Sequence, residues 1–496
     1  MPNWKYVGWT ETKGTVNKTG GKTVKHFLWG DRVDVLEEDG DRSRVRGRHR
    51  WKTCWMDSAA LQGEPLLELY FIDVGQGDGI LVVTPERKHM LIDGGYPRSK
   101  QNTGKSAADF VDWKFYADYG EDTIRLDAMM ASHNDLDHYG GLDDLLDVEQ
   151  DGELDCDHVK VDRFFHAGLS WWKTPSDDRT LGATKKVGSK RFFTDLLGDR
   201  AAAVAQLASA ANPRLQGMWA DFIEKLTQAE AQDGSDTVFE RLSDKSGNLL
   251  HFAEPDLEFQ VLGPLEFDAG GTPGLERLTG GNSQNTNGHS ITLRVDYKGT
   301  RVLLTGDLNR RSQKLLLAGY EGREAVFMAD VAKACHHGSD DVSLEFLSRV
   351  NPSATVISSG DGEGHDHPRP GIVGASGVTG YLTIKDDQVL TPLVYSTETA
   401  RSVSMGEPTR IEVKQSGGTD FELTGNDFAN SVMHFEETKP GAFAAEKKHK
   451  EMKRLSVVAG QVYGLVNVRT DGETIVCATM NEKDGSWAIK KFPSRF

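Results

Sequence analysis

The segment Ser132-His133-Asn134-Asp135-Leu136-Asp137-His138-Tyr139-Gly140-Gly141 sets four metal-capable side chains at positions i, i+2, i+4 and i+5. Imidazoles and carboxylates are costly to pack together unless a cation offsets their charge, so a metal site is the economical reading. A tight loop here can turn His133 and Asp135 toward one cation and Asp137 and His138 toward a second. Gly140 and Gly141 let the backbone turn away into the next helix. Later groups supply what such a site still lacks. Asp307 ends VLLTGD, where a carboxylate could bridge two ions; His336-His337 ends ADVAKACHH; His365 and His367 lie in GHDHPRP, ahead of a chain-stiffening proline. Two divalent ions would lower the pKa of a bridging water until it is hydroxide near neutral pH. They would also hold a phosphodiester oxygen, leaving His336 or His367 to give a proton to the leaving oxygen.

Every one of these groups follows an apolar run, which tells what must position it. LLELYFIDVG from residue 66, GILVVTP, HMLIDGG, LDAMMASH (126–133), FQVLGP, SITLRVDY, TRVLLTGD and ATVISSG read as buried strands ending at Gly, Pro or polar residues. Helical patterns near 104–116 and in SQKLLLAG alternate with them, so an α/β layered architecture is expected, with one sheet edge gathering the ligands. Residues 145–258, with Ala-rich FFTDLLGDRAAAVAQLASAAN and GMWADFIEKLTQAEA, read as a helical insertion forming a wall or lid. Its Trp171-Trp172 pair suits buried packing better than stacking on a substrate. Residues 396–496 read as strands, a charged helix around AFAAEKKHKEMKRLS and a closing hairpin turning at Asp471-Gly472, completing or flanking the catalytic domain.

Taken together, these residues resemble the metallo-β-lactamase fold, most closely the branch holding the soluble domain of DNA-uptake competence proteins and phosphocholine esterases. The motifs run in family order: Phe71-Ile72-Asp73-Val74-Gly75-Gln76-Gly77-Asp78, Leu91-Ile92-Asp93-Gly94-Gly95, the His133–Gly141 signature, Leu304-Thr305-Gly306-Asp307, His336-His337-Gly338-Ser339 and His367-Pro368. The resemblance spans about residues 66–370 of a catalytic domain placed at 66–395. It implies a four-layer αββα sandwich and a hydrolase with two divalent ions, Zn2+ or Mn2+. The metal ligands it implies are His133, Asp135, Asp137, His138, Asp307 and one of His336 and His337. His337 is favoured, because adjacent strand-end residues point to opposite sides. His336 and His367 are then left, with the ligand Asp137, for catalysis, while Asp78 and Asp93 orient the ligands by hydrogen bonds. Most of the superfamily has His where this chain has Asp135, a harder ligand that tilts preference from zinc toward manganese. His289 stands near the place of the family's separate middle histidine and is a further candidate ligand, although this branch has Asn and Ser there.

Residues 1–63 have another character. Period-2 alternation in DRVDVLEE and SRVRGRHRWKTCW, broken by Gly turns, predicts a small β-barrel resembling bacterial SH3-like domains. The chain carries a net charge of −17, yet this unit holds 12 Lys/Arg against 8 Asp/Glu. Arg44, Arg46 and Arg48 form part of a row that would suit phosphate contacts or a solvated barrel face. Four scattered cysteines without C-x-x-C spacing argue against disulfides and zinc knuckles. No run of 18 apolar residues and no secretory leader is evident, so a cytoplasmic protein without membrane contact is expected. The function expected is a phosphodiesterase or nuclease acting on an anionic substrate such as DNA or RNA. A hydrolase of a small ester, lactone or lactam is the alternative, and a non-catalytic metal-binding scaffold the alternative of another class.

Overall fold

The structure is a computed structural model. It describes residues 2–48, 50, 52–101, 104, 106–147, 153–360, 367–397, 465–480 and 486–496, with residues 419 and 427 and the short strands 403–406, 410–413, 421–424, 432–437, 448–453 and 457–460. His365 lies outside the described residues.

Apolar alternation in the N-terminal unit produces six antiparallel strands, Trp4–Tyr6, Glu11–Asn17, Gly20–Leu28, Arg32–Asp39, Arg42–Arg46 and Thr53–Asp57. Their inward residues, among them Phe27, Val33, Val45 and Met56, make a small core of their own. The unit is fastened to the rest of the chain by ion pairs. Arg469, fully buried, reaches Asp31 at 2.8 Å and Glu68 at 3.2 Å. The Arg48 backbone N–H donates to Asp118 at 2.8 Å, while its guanidinium stacks 5.0 Å from the Trp487 ring centre.

The body is built on two sheets. One has nine strands in the spatial order Val238–Arg241, Arg163–His166, Ala128–Ala131, His89–Gly94, Gly79–Val83, Leu67–Phe71, Val466–Thr470, Thr474–Met480 and Trp487–Pro493. The other has six, in the order Leu257–Gly263, Thr292–Tyr297, Thr300–Leu304, Val331–Lys333, Ala354–Ile357 and Leu393–Ser396. Because side chains alternate along a strand, Leu69 and Phe71 enter the core between the sheets with Phe259, Val295 and Val356, whereas Tyr70 and Ile72 face the other way. On that outer face lie the helices Ala107–Trp113, Leu136–Leu145 and Gly217–Gln228, contributing Phe110, Leu142 and Phe222. The helices Arg310–Gly319, Leu344–Val350 and Pro370–Thr379 cover the six-stranded sheet through Leu316, Phe346 and Ile372.

Two expectations need correction. Residues 145–258 are more strand than helix. Among the described residues after Leu145, only Arg200–Leu207 and Gly217–Gln228 are α-helical, while Arg163–His166 and Val238–Arg241 extend the large sheet and four strands between 172 and 193 form hairpins. Gly182 and Gly188, both at positive φ, make the turns that interrupt any helical run there. In the charged C-terminal stretch, Lys448–Lys453 is a strand antiparallel to Val432–Glu437, so ladder pairing overrides helix propensity; residues 441–447 and 454–456 lie outside the described residues. The closing hairpin lies where the turn signal places it and pairs with Leu67–Phe71.

Candidate metal centre

Strand ends from both sheets converge on one point. Asp78 precedes the strand Gly79–Val83, Asp93 lies near the end of His89–Gly94, and His133 follows Ala128–Ala131. Asp137 and His138 occupy the first turn of the helix Leu136–Leu145, which the Asp135 backbone starts. That helix can approach because it has no side chains in the way: a Cβ on Gly141 would sit 2.0 Å from the Gly94 carbonyl oxygen, and one on Gly140 2.3 Å from Pro97. The glycine pair therefore serves close packing as much as turning.

His138 Nδ1 donates to Asp93 Oδ2 at 2.8 Å, and Asp93 Oδ1 accepts from the Ser132 backbone N–H at 2.7 Å. His337 Nδ1 donates to the Ser358 carbonyl at 3.2 Å, with Asp78 Oδ1 equally close. With Nδ1 engaged, both rings turn Nε2 toward Asp307 Oδ2, at 3.3 Å from His138 and 2.9 Å from His337; Asp137 Oδ2 lies 3.7 Å from His337 Nε2. A cation bonded at about 2.0–2.1 Å in tetrahedral geometry holds its ligands roughly 3.3 Å apart, so His138, Asp307 and His337 fit one ion, with Asp137 facing His337. Asp78 also brings an oxygen within 4.8 Å of His138, Asp307 and His337. It faces Nδ1 rather than Nε2, which makes it an orienting partner.

A second position is less complete. His133 Nε2 is 3.8 Å from Asp135 Oδ2, and its Nδ1 is held by Ser132 Oγ and Ser290 Oγ at 3.1 and 3.2 Å. Asp135 Oδ2 accepts from Thr286 Oγ1 at 2.9 Å and, with the Asn287 amide oriented to suit its neighbours, from Asn287 Nδ2 at 2.8 Å. The buried Nε2 of His133 has no hydrogen-bond partner, and those of His138 and His337 have only Asp307 and Asp137 before them, a donor set shaped for metal.

His336 and His337 do not diverge as strand-end neighbours would. After the strand Val331–Lys333 the chain enters left-handed backbone, with φ of 50° and 51° at the two residues, and both rings face Asp307; His336 Nε2 is 3.8 Å from its Oδ2. His367 stands 5.9 Å from the His336 ring, and both line a cleft of about 250 Å3 with Gln76, Tyr96, Asp137 and Asn287. His289 is elsewhere: its Nε2 donates to the Glu276 carbonyl at 2.8 Å, and it is not gathered with the other histidines. Metal content should accordingly survive His289→Gln, measured by elemental analysis.

Lys333 carries no signal in the motifs above, yet its fully buried ammonium lies 2.5 Å from Asp78 Oδ2, 2.8 Å from the Gly306 carbonyl and 3.5 Å from Asp307 Oδ1. Lysine on a strand otherwise buried among Val331 and Ala332 was the available clue, since such a group is tolerated only when paired. Asp78, Asp93, Asp135, Asp137 and Asp307 bring five negative charges and Lys333 returns one. Two divalent cations would offset the remainder.

Burial alone would raise Asp78, but Lys333 and His337 override it and hold the carboxyl at about 2. Against burial, Asp307 and Asp78 raise His337 to about 9, and Asp307 and Asp93 raise His138 well above the usual range. Asp135, by burial and by Asp137, rises to about 7. Metal must displace the protons on His138 and His337, so affinity should increase from pH 6.5 to 9. The metal-free fold runs the other way. A histidine with a raised folded pKa stabilises fully below the unfolded value and loses that contribution as pH climbs through about 9, so the urea midpoint should fall over the same window. Metal titrations and urea melts at three pH values test both slopes; parallel slopes would contradict the assignment.

Arg44 and Arg46 are each opposed by an acid, Glu37 at 3.2 Å and Asp34 at 2.7 Å, and Arg48 lies 3.5 Å from Asp31 at the junction with the body. Trp171 and Trp172 are buried; Trp171 Nε1 donates to the Asn134 carbonyl at 3.0 Å, bracing the metal loop.

No family model matches the chain. Two competence proteins resemble it in sequence. ComE operon protein 3 of Bacillus subtilis (strain 168) is 24% identical over 315 residues, 62% of this chain and 30% of that protein. Competence protein ComA of Neisseria gonorrhoeae is 36% identical over 87 residues, 17% of this chain and 12% of that one. The chain thus spans less than a third of either relative. Among solved structures, Tm1679, described as a metal-dependent hydrolase of the beta-lactamase superfamily, matches with a TM-score of 0.31 and 13% identity, covering 72% of this chain and all of that one. Among the described residues, no helix is long and apolar enough to cross a membrane.

Proposed function

We propose that this chain is a metal-dependent hydrolase of the metallo-β-lactamase fold, with an SH3-like N-terminal unit, and that it cleaves phosphodiester bonds, DNA or RNA among them. The observation that carries the reading is the convergence of the His138 and His337 Nε2 atoms and Asp307 on one point at the sheet edge. Bound divalent cations would supply a nucleophile from water at neutral pH and positive charge for a phosphoryl oxygen. His133, Asp135, Asp137, His138, Asp307 and His337 would hold them. Asp93 and the Ser358 carbonyl fix the tautomers of His138 and His337, keeping each Nε2 free of a proton when metal is present. His336 is kept neutral mainly by burial, and its Nε2–H donates to Asn287 Oδ1 at 3.1 Å. Facing the cleft, His336 can give a hydrogen bond, and His367 a hydrogen bond or proton, to a leaving oxygen.

A second reading, a small ester or lactone as substrate, is favoured by one feature: no Lys or Arg is among the described residues lining the cleft. Manganese- or zinc-loaded protein assayed on bis(p-nitrophenyl) phosphate, single-stranded DNA and a lactone separates the two. Cleavage of the phosphodiesters is expected; turnover of the lactone alone would reject the first reading.

A further inference from the structure

While the arginines of the barrel row are opposed by acids, two others are not. Arg32 starts the strand Arg32–Asp39 of the N-terminal unit, and Arg87 sits in the turn joining Gly79–Val83 to His89–Gly94 of the body, at φ +69°. They meet over one ring: the guanidinium carbons lie 5.5 and 4.2 Å from the centre of Tyr119, and that of Arg32 also lies 4.0 Å from the Trp4 ring. The two charges are therefore no more than about 10 Å apart. Both side chains are half-buried, and neither makes an ion pair with a carboxylate among the described residues.

Like charges held close oppose folding, and Arg32 shows the cost. Burial and Arg87 lower its pKa and, burial first, hold His89 neutral, whereas against burial Tyr119 and the more distant Glu68 raise that of Arg87. Tyr119 and Trp4 offset part of that cost through their ring faces. What the arrangement lacks is an anion. Guanidinium forks on opposite sides of a junction match the oxygens of a phosphate. Trp4, 40% exposed, shares a strand face with Tyr6, which stands opposite Arg32 in register, so flat apolar surface adjoins the cations. Phosphate-binding forks beside aromatic faces are the means by which proteins hold single strands without reading sequence.

We propose that Arg32 and Arg87 form an anion site that grips a phosphate of a single-stranded nucleic acid at the junction of the N-terminal unit and the body. The site stands apart from the metal centre: Arg87 lies beyond one end of the strand Gly79–Val83 and Asp78 at the other, roughly 17 Å away. Strand binding and hydrolysis can therefore fail separately. A protein that binds the strand without cutting it would reject the proposed function and keep this site, and the converse result would do the opposite.

The test is fluorescence anisotropy of a labelled oligothymidylate with the full chain, over about 50–200 mM salt. Arg32→Gln and Arg87→Gln should each weaken binding about tenfold and reduce the slope of log affinity against log salt by about one. Lys22→Gln, removing an exposed charge elsewhere on the same unit, should do neither. Arg32→Lys and Arg87→Lys keep the charge without the fork, and should keep the salt slope while losing affinity. Inorganic pyrophosphate should displace the strand. The proposal is overturned if wild-type protein does not bind the strand, if both glutamine variants bind as wild type does, or if pyrophosphate fails to compete. Pyrophosphate binding that depends on both arginines, without strand binding, would likewise overturn it, leaving a site for small anions alone.

Discussion

Asp307→Ala should strip the centre of metal and lower the proposed phosphodiesterase activity a thousandfold or more, equivalent to about 4 kcal/mol of transition-state stabilisation. Asp307 Oδ2 lies 3.3 Å from His138 Nε2, 2.9 Å from His337 Nε2 and 3.8 Å from His336 Nε2, while Oδ1 faces Lys333 at 3.5 Å. Removing it leaves two imidazoles and an ammonium with Asp78 as their shared counter-charge and no carboxylate before the two Nε2 atoms at comparable distance. Asp93→Asn is the graded comparison. Asp93 touches His138 only through Nδ1, so its loss should weaken metal binding by about 10–100-fold rather than abolish it. Elemental analysis after metal loading, with circular dichroism to show the fold intact, checks both. An Asp307→Ala protein that keeps its metal would refute this geometry.

Lys333→Met should destabilise the metal-free protein by about 3–5 kcal/mol, the cost of leaving a buried charge without its partner. The ammonium has no access to solvent and sits 2.5 Å from Asp78 Oδ2, so the substitution leaves Asp78 and Asp307 with only His138 and His337 for counter-charge. Divalent metal should recover part of the loss, because it neutralises Asp307 directly. Urea unfolding in chelator and again in manganese measures both quantities. Equal midpoints for wild type and variant in chelator would mean that Lys333 does not carry this charge balance.

Much of the site was legible because each ligand follows an apolar run, and apolar runs of that length form strands whose ends share an edge. What was not legible depended on contacts between strands. The two histidines after Lys333 read as strand-end neighbours pointing apart, but the chain leaves the strand through left-handed backbone and brings both to Asp307. The row at Arg44 and Arg46 read as free cation because alternation was followed along one strand. In the antiparallel ladder Glu37 stands opposite Arg44 and Asp34 opposite Arg46, so the counter-charges come from the adjoining strand. Arg32 and Arg87 gave no sequence signal at all, since 55 positions separate residues that meet over Tyr119. The hairpins within 145–258 escaped for a simpler reason: strands such as Thr184–Val187 and Lys190–Phe193 have four residues each, too few to show a period beside Ala-rich helices.

The most direct test of the metal centre is the manganese content of the loaded and desalted protein, read beside that of His337→Ala. The geometry predicts at least one tightly held ion per chain in the wild type, two at saturation, and loss of the tight ion in the variant. Less than one ion per chain in the wild type, or an unchanged content in His337→Ala, would contradict it.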